Sequence, residues 1–155
     1  MDNRHHETVH SVAQYALFIL QDEFGDAVHI VTPTRFELPV GSTRVTTEIA
    51  AAGDHAVVLV AAPVALDVPA SPELYEHVAR QGGSPSLGAM VVMEAGSMGL
   101  VNVLLFHHLY GNCLDRAELL TSVANVAGQA DDADEAFVER FGGRRFSDAK
   151  TPHAH

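Results

Sequence analysis

A chain of 155 residues has the size of one domain and can bury a core without disulfides or metal. A hydrophobic share of 47% excludes a disordered chain despite a net charge of −11. Twenty acidic against nine basic residues, with no basic run longer than Arg144-Arg145, exclude a surface suited to phosphate backbones.

The opening MDNRHHETVH is polar where a signal peptide would be basic and then apolar, and no apolar run approaches the roughly 20 residues of a membrane span. The expected location is the cytoplasm, with neither membrane nor nucleic acid among the partners. Cys113, the single cysteine, is expected as a buried or half-buried structural thiol.

The first predicted element is an amphipathic helix over Glu7 to Phe24. Val9, Ala13, Ala16, Leu17, Leu20 and Phe24 recur at steps of three and four, and Gly25-Asp26 stops it. A short extended piece at Ala27 to Thr32 precedes Pro33. Then come strand-like runs at Arg35 to Val40, Thr43 to Ala51 and His55 to Leu66, separated by turns at Gly41-Ser42 and Gly53-Asp54. This reads as an antiparallel meander. Ser71 followed by Pro72 starts a short helix that ends at Gly82-Gly83. Strands at Leu87 to Glu94 and Leu100 to Tyr110 follow, joined by the glycine-bearing turn Ala95 to Gly99.

The closing helix has the clearest start signal. Asp115 can accept a bond from a free backbone N–H while Glu118, three residues on, reaches back, an acidic form of the capping box. Leu119, Leu120, Val123, Val126, Ala127 and Ala130 line one stripe, continued by Ala133, Phe137, Val138 and Phe141 to the stop at Gly142-Gly143. Asp131, Asp132, Asp134 and Glu135 read as a solvated helix face, since they lack the ligand spacing and glycine of a calcium loop. One domain is expected over residues 1–146, with a disordered tail over 147–155.

These patterns predict an α+β fold, a mostly antiparallel sheet of about five strands in the order α-β-β-β-α-β-β-α, with helices packed on one face. The runs Ala56 to Ala62 and Leu100 to Phe106 are too continuously apolar for strands with one wet face. Three helices cover one face and little of the other, so a second copy of the chain or a client polypeptide is expected on the rest. Along the third strand Val58, Val60 and Ala62 point one way and Val57, Leu59 and Ala61 the other. The candidate partner-binding residues are therefore Val57, Val58, Leu59, Val60, Val103 and Leu104. Which row meets the partner, and whether that face is a peptide groove or a dimer seal, is open at this level.

In element order, in the Phe36-Glu37-Leu38-Pro39 entry to the first hairpin, and in the final strand followed by Asp115-Arg116-Ala117-Glu118-Leu119-Leu120 and a long helix, the chain resembles class I type III secretion chaperones and the YbjN-like proteins of bacteria. The resemblance runs from about Val9 to Phe146. It implies a noncatalytic chaperone or regulatory adaptor that binds a protein or peptide client, as a homodimer, without a cofactor.

A sharper alternative is a zinc-dependent hydrolase. His6-Glu7-Thr8-Val9-His10 fits H-E-x-x-H, in which His6 and His10 would hold zinc and Glu7 would activate a water. The setting disagrees: no scaffold precedes it, Ala13 and Ala16 stand where the extended motif needs glycine and a third histidine, and Glu23 is too far along the same helix to complete the ligand set. In a chain with ten histidines a five-residue match is cheap. His107 and His108, adjacent on a strand, point to opposite faces and cannot share an ion; one of them is open to a reading as a pH or small-ligand sensor. Met90, Met93 and Met98 read as strand-core packing or as a soft binding surface. No nucleophile elbow and no phosphate-binding glycine loop is present.

Overall fold

The computed structural model describes residues 3–81 and 88–150. Helix α1 (Asn3–Phe24) leads through a single 3-10 turn into strand β1 (His29–Thr32). Strands β2 (Arg35–Val40), β3 (Thr43–Ala52) and β4 (His55–Pro69) form the meander. Helix α2 (Pro72–Gln81) crosses to the hairpin of β5 (Ala89–Glu94) and β6 (Leu100–Tyr110), and helix α3 (Arg116–Phe141) closes the fold. One antiparallel sheet results, in the order β1-β2-β3-β4-β6-β5. The architecture is the expected α+β one, with the short piece at 29–32 serving as a sixth strand on the β2 edge. The expected helix stop at Gly82-Gly83 and strand start at Leu87 lie outside the described residues.

The caps act as their chemistry requires. The Ser71 hydroxyl accepts from the Leu74 N–H at 3.1 Å, and the Asp115 carboxylate accepts from the Glu118 N–H at 2.8 Å. Gly142, at φ +80°, turns the chain out of α3 while its N–H donates to the Val138 carbonyl at 2.8 Å.

Helices α1 and α3 lie on one face of the sheet. Ala13, Ala16, Ile19 and Leu20 of α1 and Leu119, Val123, Val126 and Ala130 of α3 meet Phe36, Val45, Val58, Val60, Val103 and Leu105 in a single core. Helix α2 buries Leu74 and Val78, and its His77 ring stands 5.8 Å from Phe137 and 5.0 Å from Phe141 of α3. Strict alternation along β3, buried then half-buried from Thr43 to Ala50, shows one sheet face filled and the other not.

Three local expectations change. Cys113, in the 3-10 turn after β6, is exposed rather than buried, because the turn carries it away from the sheet. Asp134, expected in solvent, is 7% exposed: it faces the tip of the β2–β3 hairpin, whose Ser42 hydroxyl donates to Asp131 and lies 3.4 Å from the Asp134 carboxylate. The tail expected to be disordered from Ser147 begins with a 3-10 turn over Ser147–Lys150; residues 151–155 lie outside the described residues.

Candidate functional site

Cross-strand partners in an antiparallel ladder share a face, so the register draws the face that no helix covers. Ala50 faces Val57, Glu48 faces Leu59 and Thr46 faces Ala61 between β3 and β4. Val57 faces Tyr110, Leu59 faces His108, Ala61 faces Phe106 and Pro63 faces Leu104 between β4 and β6. Val91 of β5 faces Leu104, and Met93 faces Asn102. Val57, Leu59, Val91, Leu104 and Phe106 thus make an apolar tract across β4, β6 and β5, half-buried by their sheet neighbours and, among the described residues, not roofed by helix.

The same face turns polar on β2 and β3. Glu37 receives hydrogen bonds from Arg44 at 2.7 Å and from Arg35 at 3.3 Å, and Arg35 stands opposite Glu48. Two guanidiniums and two carboxylates leave this strip without net charge, within a protein that carries −11 overall. At the open end of the tract, a recess of about 310 Å³ is lined by Ala52, His55, Val57, His108, Leu109 and Tyr110. The His55 ring meets Tyr110 edge-on at 6.4 Å, and His108 stacks on Phe106 at 6.0 Å.

This arrangement offers apolar area and hydrogen-bonding rings. Among the described residues no three His, Cys, Asp or Glu side chains converge as metal ligands. Residues 12–149 match the family model described as T3SS (YopN, CesT) and YbjN peptide-binding chaperone 1. The chain belongs to that family. Among curated proteins none matches it.

The six candidate residues divide by face. Val58, Val60 and Val103 are fully buried beneath the helices, whereas Val57, Leu59 and Leu104 stand on the uncovered face. The period of two separates these rows; only the helix positions say which row is which. The two adjacent histidines divide likewise. His107 points to the helices and its Nδ1 lies 3.1 Å from the hydroxyl of Ser122; Ser122 is 2% exposed, His107 is half-buried, and both line a shallow recess between β6 and the start of α3. His108 belongs to the uncovered face.

Of the H-E-x-x-H set, His10 is exposed on α1, and the side chains of His6 and Glu7 lie outside the described residues. The methionines separate too: Met90 packs against the core, while Met93 is 49% and Met98 101% exposed. Sequence reasoning did not single out Phe106, His108, Tyr110 and Val91 as face residues. The alternation through 104, 106, 108 and 110 could have found the first three, but Val91 joins only because β5 pairs with β6.

His77 and Asp134, whose protonation burial biases, stand on the helix side of the sheet. Burial, followed by the nearby Arg140 guanidinium, holds His77 below its ordinary value. Burial, with a contribution from Asp131, raises Asp134 above its ordinary value despite opposing effects from the Glu135 backbone, Arg145 and Ser42.

Proposed function

We propose that the protein is a noncatalytic, cytoplasmic, homodimeric peptide-binding chaperone or regulatory adaptor, and that the helix-free sheet face is where its partner is held. The observation that carries the reading is the apolar tract of Val57, Leu59, Val91, Leu104 and Phe106 that the chain's own helices leave uncovered. Burial of such surface yields about 25 cal/mol per Å², enough over a modest footprint to drive association. The neutral strip beside it supports the same reading, since a copy or client meeting it there encounters little of the repulsion that −11 would otherwise impose. Family membership supports a peptide as the class of ligand, and the uncovered apolar tract supports this face as the place to bind it.

Two measurements test it together. Light scattering at micromolar concentration should return about twice the 16.6 kDa chain mass, and affinity capture from native lysate should recover a client that Leu59→Asp loses while the chain stays folded. A monomer that captures a client through this face would remove the dimer alone. A folded Leu59→Asp protein with unchanged mass and unchanged client would remove the face.

A further inference from the structure

Strand β4 is longer than the neighbour on one of its sides. The β3 ladder runs out at the Thr46–Ala61 pair, beyond which only the Thr43 hydroxyl reaches the Pro63 carbonyl at 3.4 Å, whereas β6 continues to pair with β4 as far as Pro69. The β4 edge beyond Val64 would therefore stand open on the β3 side. It is filled from the other end of the chain. The Leu66 N–H donates to the Arg144 carbonyl and the Arg144 N–H donates to the Leu66 carbonyl, both at 2.9 Å, an antiparallel bridge in the lane that β3 leaves.

The body of the protein is shaped around this visitor. Arg144 Nε donates to Asp67 Oδ2 at 2.7 Å, and the Arg44 guanidinium lies 4.9 Å from the centre of the Phe146 ring. Asp67 has φ +52°, the sole positive value among the described non-glycine residues, and its N–H donates to the Asn102 side chain at 3.0 Å. A non-glycine residue held in that region is strained, and such strain clusters where a chain must clamp something. Gly143, at φ +83°, lets the strap approach: a Cβ there would sit 2.5 Å from the Leu66 carbonyl oxygen.

The strap is also lightly held. Its bridge to β4 is an isolated one and the Arg144–Asp67 ion pair lies between half-exposed partners, so we read it as a segment that can open locally while the rest stays folded. Arg145 pairs first with Asp148 of its own segment, and Asp134 and Glu135 of α3 add to the acidic surroundings.

We propose that the β4 edge at Leu66–Asp67 is a strand-docking site for an extended basic segment of a client, carrying a cation and, two residues on, an aromatic ring, and that the 144–146 strap is its built-in competitor. The backbone of Leu66 supplies the ladder bonds, Asp67 reads the cation, and Arg44 covers the ring. Only the existence of a client rests on the peptide-binding reading above; the site rests on the strap.

The test uses the full chain, amide hydrogen exchange, and a synthetic peptide with the sequence of residues 142–150. In Arg144→Glu the Leu66 amide should exchange at least tenfold faster while the Val60 amide is unchanged. Adding the peptide should slow Leu66 again; a peptide with glutamate in place of its first arginine should not, and Asp67→Asn should blunt the rescue. Arg144→Gln serves the same purpose if the glutamate variant speeds Val60 as well. An unchanged Leu66 amide in both variants, or a fast one that the peptide fails to slow, overturns the proposal. If the peptide fails while Leu59→Asp still releases a client, the docking site falls and the sheet-face reading stands.

Discussion

Val57 and Val58 are neighbours in β4 with the same side chain, and aspartate at the two positions should have opposite consequences. Val58 is 0% exposed beneath the helices. Its replacement removes about 1.5–3 kcal/mol of apolar burial, and the carboxylate must either lose its hydration, at several kcal/mol, or force water into the core. The total is on the order of 5 kcal/mol or more, comparable with the 5–15 kcal/mol that holds a typical domain together. Val58→Asp should be insoluble or melt without cooperativity. Val57 is half-buried and faces Tyr110 across the uncovered side, so Val57→Asp keeps its carboxylate in water and loses about 1 kcal/mol of burial. It should remain folded yet place a charge where the partner sits. The assay pairs far-UV circular dichroism melts with light scattering: Val58→Asp fails the first, and Val57→Asp passes it and fails the second. The split should recur for Val103→Asp, which is 0% exposed, and Leu104→Asp, which is half-buried. If both members of each pair unfold alike, the supposedly open face is internal core; if both fold and associate normally, it is idle surface. Either result refutes the reasoning.

Three further outcomes are expected. Glu7→Gln should change neither melting temperature nor client capture, and elemental analysis of purified protein should find far less than one zinc per chain; stoichiometric zinc with peptidase activity lost in Glu7→Gln would establish the hydrolase instead. The depressed His77 means that the fold favours the neutral ring: its contribution is fully present above the ordinary value of 6.5 and is lost as pH falls through the lower folded value. Protection factors in α2, with exchange corrected for its intrinsic slowing as pH falls, should therefore drop below pH 6.5, and His77→Gln should flatten that dependence. The raised Asp134 works in the other sense, contributing most below its ordinary value of 3.8 and losing that contribution as pH rises through the folded value. Asp134→Asn should thus raise the melting temperature at pH 7, with the gain vanishing toward pH 3.8; a loss of stability at pH 7 would show that the ionised carboxylate is needed to hold the Ser42 hairpin tip.

Local physics carried much of this protein into its sequence. Apolar spacing of three and four marked the helices, the Ser71 and Asp115 hydroxyl and carboxylate marked where two of them begin, and period two along β4 separated Val58 and Val60 from Val57 and Leu59, because each of these signals acts between residues close in the chain. What depends on the third dimension was decided by the fold alone. Which valine row lies under the helices follows from where α1 and α3 land. The union of Val91 with Leu104 follows from the pairing of β5 with β6. The burial of Asp134 against Ser42 and the bridge of Arg144 to Leu66 span 92 and 78 residues of chain, and no pattern within a window of a dozen residues records a contact made across such a distance. Period and capping are properties of a segment, whereas a covered or uncovered face is a property of what the segments leave one another.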